Sequence, residues 1–212
     1  TNNNLTLLWD NSLVLNSGIF ESYSAILDNY GNRYISGGLF TSNTSAIPMV
    51  VKFNACGEQE WCLLIPFQGY DSGSIKDMVI NDDGDIIVLI DYLVYSVNQA
   101  TSDCVFLAAL SPEGELMWKQ VYASPSADPL LQHPGCFYMT YHNGEYYLSG
   151  YCYYAYPQNP THFYLTPFFV GINSQFQEKW ILPFGMKELI RGRAYEIIPM
   201  NEDYLMGLVD HG

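Results

Sequence analysis

Apolar residues along this chain fall in short runs, many of them alternating with polar positions, and a turn residue cuts each run. The segments Ala25 to Gly37, Met78 to Ile90 and Met139 to Gly150 each read as two strands around a turn. Gly31, Gly84 and Gly144 occupy the same place in the three segments, where a hairpin turn needs positive φ. A second hairpin comes after each one: Met49 to Trp61, Phe106 to Trp118 and Phe168 to Trp180. No stretch carries a convincing helical period, so the pattern predicts strands throughout.

The tryptophans set the period. Trp9, Trp61, Trp118 and Trp180 stand at intervals of 52, 57 and 62 residues, and a small polar residue (Asn2, Asn54, Ser111, Asn173) precedes each by seven positions. Gly57 and Gly114 stand four residues before their tryptophans, and Leu5 and Phe176 replace glycine in the other two copies, which should loosen those turns. Four-stranded units repeated at this spacing predict an all-β fold, a β-propeller of four-stranded antiparallel blades. The propeller is expected to be partial, with complete blades over 19–71, 72–132 and 133–194. Residues 1–18 would supply the last strand of a preceding or closing blade, and 195–212 the first strands of an incomplete one. Open edges invite pairing, so the chain is expected to be part of a longer chain or a larger assembly.

Composition narrows the partners. Apolar residues make up 49% of the chain and charged residues 14%, and 8 basic against 22 acidic residues leave a formal net charge of −14. Electrostatic binding to nucleic acid is close to excluded. The longest apolar runs fall far short of the roughly 20 residues of a membrane span, and nothing at Thr1 has the form of a signal peptide, so a processed or excised soluble chain is expected.

The hairpin with Asn or Ser, then Gly57 or Gly114, then Trp resembles the tryptophan-docking hairpin of quinoprotein-type (PQQ-like) propellers. The segment Asp28 to Gly38 resembles the opening of SBBP-type propeller repeats of secreted bacterial proteins, including type IX secretion cargo. The resemblance spans nearly the whole chain and implies a propeller scaffold at an extracellular or cell-surface location. The quinone cofactor does not carry over, because neither a cofactor floor nor a calcium carboxylate set can be placed.

Each candidate site has a plainer counterpart. Propeller topology puts the second-to-third strand connections and the blade-to-blade connections on one rim, where the length variation is concentrated. Tyr153, Tyr154, Tyr156, His162 and Tyr164 lie in one such connection and could stack on a glycan or anchor a protein partner, or could pack onto the next blade. Asn81, Asp83 and Asp85 have the alternation of a calcium loop, but the bidentate Glu is missing and Asp-Gly is a hairpin turn, so no cofactor is expected. Asp71-Ser72-Gly73 resembles a serine-protease nucleophile segment, with no histidine placed to serve it. Cys136 and Cys152 could bridge after a one-residue bulge if Asn143-Gly144 is the turn, which sets Cys136 opposite Tyr151. The leading expectation is a non-catalytic recognition scaffold for protein or glycan. The alternative is a hydrolase or lyase using acidic residues and His162 around the axial channel.

Overall fold

The computed structural model describes residues 18–41, 45–66, 68, 72–96, 99–122, 131–156, 159–184, 192–200 and 204–210; the side chains of 93–104, 131–132 and 154–163 lie outside the description. The partial β-propeller is what the structure shows. Strands β1 (Ile19–Leu27), β2 (Arg33–Phe40), β3 (Ala46–Phe53) and β4 (Gln59–Leu64) form one antiparallel sheet in sequence order. The second is β5 (Ser72–Ile80), β6 (Ile86–Ser96), β7 (Gln99–Leu110) and β8 (Leu116–Tyr122). The third is β9 (Leu131–His142), β10 (Glu145–Tyr156), β11 (Asn159–Ile172) and β12 (Glu178–Pro183), and a two-stranded sheet holds β13 (Ala194–Pro199) and β14 (Leu205–Val209). The closing strand read into residues 1–17 lies outside the described residues.

The second sheet shows why the middle strands are apolar without alternation. Ile86, Val88 and Ile90 of β6, with Phe106, Ala108 and Leu110 of β7, pack against Tyr34 and Val50 of the first sheet. Their neighbours Ile87, Leu89, Val105, Leu107 and Ala109 turn to the other face and meet Tyr146, Leu148 and Phe168 of the third. A sheet covered on both faces buries successive residues of its central strands, here Ile86 to Ile90 and Val105 to Leu110, as parallel sheets do between helices.

Trp61 and Trp118 join successive blades. Trp61 donates its indole N–H to the Pro112 carbonyl at 3.1 Å, and the space a Cβ of Gly114 would need is filled by the Trp61 ring, 2.7 Å away. Trp118 meets Phe176 with ring centres 4.1 Å apart. Phe176 does not loosen its turn: its N–H reaches the Asn173 carbonyl at 2.9 Å, the same length as the Gly114 to Ser111 bond, with φ at 58°. A tilted ring contact with Trp118 and stacking, at 5.2 Å, on Tyr146 offset the cost of that conformation. Trp180 lies against Tyr147 and its own sheet's Gly171, and lines an apolar groove of about 470 Å³ with Leu182, Ile197 and Leu205.

Candidate functional site

The first strand of each sheet, β1, β5, β9 and β13, is packed on the first strand of the next. All four carry a β-bulge at one repeat position. The register slips between Ser22 and Ser24, between Ile75 and Asp77, between Cys136 and Tyr138, and between Ala194 and Glu196. The extra residues are Tyr23, Lys76, Phe137 and Tyr195, each five positions before the first residue of the following turn. A bulge leaves its extra residue unpaired and re-aims the side chain, and bulges are common beside active sites. Here they converge across blades: the Lys76 ammonium lies 4.6 Å from the Tyr23 ring centre on one side and 5.8 Å from that of Phe137 on the other.

Hydrogen bonds lock these strands together. Asp77 accepts from the Ser24 hydroxyl at 2.9 Å, from the Met139 backbone N–H at 2.9 Å and from the Met78 N–H at 2.8 Å. One carboxylate thereby ties β5 to β1 and β9. The Thr140 hydroxyl continues the series by donating to the Ile197 carbonyl at 2.8 Å, tying β9 to β13.

Between these strands lies a cavity of about 350 Å³, lined by Asp77, Tyr138, Met139, Thr140, Tyr195 and Glu196. Tyr138 and Tyr195 stand with ring centres 6.1 Å apart, both substantially exposed. The Tyr195 hydroxyl donates to Asp210 at 2.9 Å, and the Arg193 N–H donates to the other oxygen at 2.6 Å. These bonds pull the Asp210 carboxyl below its ordinary value, the Arg193 N–H most strongly, and the Asp210 contact raises the Tyr195 phenol. Tyr23 is held in the same way, donating to Glu21 at 3.0 Å. The arrangement offers two carboxylates, Asp77 and Glu196, beside two tyrosine faces.

A larger cavity of about 870 Å³ opens between the turns of the first two blades. Two of its three carboxylates serve the scaffold: Asp28 accepts from the Tyr30 and Asn32 N–H groups, and Asp82 from the Tyr141 hydroxyl at 2.8 Å.

The tyrosine-rich stretch is not a loop. β10 and β11 stay paired out to Tyr156 and Asn159, so the supposed rim connection is a long hairpin. Tyr153 pairs with Leu165 and Tyr154 with Tyr164, which puts Tyr153 and Tyr164 on opposite faces of the sheet. Tyr153 is 40% exposed, with ring contacts to His133 and Tyr151, and Tyr164 is half-buried. The side chains of Tyr154, Tyr156 and His162 lie outside the description.

Asn81 uses its side-chain oxygen on the turn, accepting from the N–H groups of Asp83 at 3.1 Å and Asp85 at 2.9 Å. Asp28, Asn54, Ser111 and Asn173 cap the equivalent turns alike, so the alternation at Asn81, Asp83 and Asp85 is explained by turn chemistry. Among the described residues no group of three or more His, Cys, Asp or Glu is placed to hold a metal. Ser72 is buried and accepts from the Ala46 N–H at 3.0 Å, a structural contact between blades. Cys136 and Cys152 are buried in one core cluster and are not joined by a disulfide. Cys136 pairs with Gly150 and not with Tyr151, because Phe137 is the bulged residue. Burial, then Asp91 and Cys152, push the Cys136 thiol well above its ordinary value.

Sequence reading missed Lys76, Asp77 and Glu196. Alignment on the turns equates Tyr23, Lys76, Phe137 and Tyr195, but only the bulges in the strand register show that these positions share a direction.

No family model and no curated protein matches the sequence. Among solved structures, the chain is similar to a levansucrase variant from B. megaterium at 9% identity and TM-score 0.52, covering 91% of this chain and 67% of that one. It is also similar to an alpha-L-arabinofuranosidase from Clostridium thermocellum at 11% identity and TM-score 0.45, covering 81% of this chain and 55% of that one. The expectation of a non-catalytic recognition scaffold is corrected by this comparison: the propeller that shares the fold belongs to an enzyme. At such identity the likeness is one of fold alone, and it leaves the chain a partial β-propeller.

Proposed function

We propose that the axial cavity is the active site of a hydrolase acting on a glycan. The observation that carries this reading is the meeting of Asp77 and Glu196 with the faces of Tyr138 and Tyr195 in one cavity at the converging strands. Glycosidic bonds are hydrolysed between two carboxyl groups, one protonating the leaving oxygen while the other acts on the far side of the sugar ring. Asp77, fixed by three donors, is the positioned carboxylate, and Glu196, exposed beside the bulge at Tyr195, is the proton donor. Water supplies the hydroxyl and proton that complete the cleavage, and the tyrosine rings stack on the sugar. The fold likeness to levansucrase supports the frame, and the resemblance to secreted propeller repeats supports an extracellular glycan as substrate. The chain spans 67% of the levansucrase and 55% of the arabinofuranosidase, and the two-stranded fourth sheet supports further strands, in cis or in a partner, completing the ring.

The test is reducing-end release from a panel of oligosaccharides and nitrophenyl glycosides. Asp77→Asn and Glu196→Gln should each lower the rate by about 100-fold or more while keeping the melting temperature within a few degrees. Wild-type inactivity across the panel, or full activity in Glu196→Gln, would overturn the assignment.

A further inference from the structure

We infer that the axis carries a subsite for a carboxylated sugar unit, read by Lys76. This rests on the glycan reading above and names the class of glycan.

Lys76 is the one Lys or Arg on the four first strands. Its bulge aims it at the axis, where its ammonium lies between the rings of Tyr23 and Phe137, contributed by the blades on either side. The other described lysines meet protein oxygens. Lys52 pairs with Glu60 at 2.8 Å, Lys179 with Glu145 at 2.6 Å, and Lys119 donates to the Pro66 carbonyl at 3.0 Å. Lys76 makes no ion pair with a described residue, in a chain with 22 acidic side chains.

Two flanking rings hold an ammonium through their negative faces without neutralising it. Its hydrogen-bond donors stay available for an acceptor delivered along the axis. A single positive charge matches one carboxylate, whereas a phosphate dianion calls for several cations or a helix terminus. Asp77 follows Lys76 directly in the chain, and Lys76 does not line the cavity of Asp77 and Glu196, so the ammonium would read a glycan unit outside that cavity. The net charge of −14 opposes polyanions at long range, but salt screens that field beyond roughly 8 Å at physiological ionic strength, which leaves recognition to local contacts.

The test compares binding of a galacturonic acid trisaccharide with that of its methyl ester, by calorimetry on the intact chain, with bond cleavage measured separately. The acid should bind about tenfold or more tightly than the ester. Lys76→Met should abolish that preference, and Lys76→Arg should keep most of it. Equal binding of acid and ester, no binding of either, or a preference that survives Lys76→Met would overturn the subsite. If the acid binds through Lys76 and no glycosidic bond is cut, the subsite stands and the hydrolase reading fails. Cleavage of neutral glycans alone, with no acid preference, gives the reverse result.

Discussion

Gly150→Ala should destabilise the protein by about 4 kcal/mol, a large share of the roughly 5–15 kcal/mol that holds a domain folded. A Cβ on Gly150 would lie 1.9 Å from the Gly135 carbonyl oxygen and 2.7 Å from the Cys136 Cα, and both are backbone atoms of the facing strand. Relief requires parting β9 from β10 where the bulge at Phe137 sits, so the substitution removes the local pairing that aims the bulge. Gly37 faces the same obstacle on β2, 1.8 Å from the Glu21 carbonyl oxygen, and should respond alike. Gly135→Ala is the control: its nearest neighbours are Tyr151 ring atoms at 3.7 Å, and its cost should stay under about 1 kcal/mol. Urea unfolding of the three variants separates these outcomes, and equal midpoints for Gly150→Ala and Gly135→Ala would show that the bulged pairing is not a fixed feature.

Asp77→Ala should cost about 3 kcal/mol, because it removes three hydrogen bonds to a carboxylate and strands the Met139 N–H that the carboxylate satisfies. The loss unties the second blade from both neighbours at once. Asp77→Asn should cost only about 1 kcal/mol. Its amide oxygen can accept from Met139 while its NH₂ donates to the Ser24 hydroxyl, so the blades stay tied and the bond lost is the one from the Met78 N–H within β5. The pair therefore separates the architectural role of Asp77 from its chemistry: thermal melting should distinguish the two variants strongly, and glycan hydrolysis should be lost in both. Identical melting of Asp77→Ala and wild type would remove the proposed tie.

The blades were legible because their signals are local and repeated. A glycine or capping residue at each turn and an indole at each fourth strand recur, and uninterrupted apolar runs such as Val105 to Leu110 mark strands buried on both faces. Two signals misled. The tyrosine-rich run around Tyr153 reads as a loop by its irregular length, yet its backbone pairs as a long hairpin that sends neighbouring side chains to opposite faces. Phe176 stands where glycine serves the turn best, yet aromatic packing from the preceding blade holds it there. The axial site was not legible, because its residues come from β1, β5, β9 and β13 and meet only when the blades are assembled. One added residue per strand decides their direction, and period-two alternation carries no mark of it.

The most direct test is where a sugar binds. Crystals of the Glu196→Gln variant, soaked with an oligosaccharide that the wild type cleaves, should show the sugar in the cavity against the exposed faces of Tyr138 and Tyr195, with a ring oxygen or hydroxyl on Asp77. Sugar density on the β10–β11 hairpin around Tyr153, with the axial cavity empty, would contradict it.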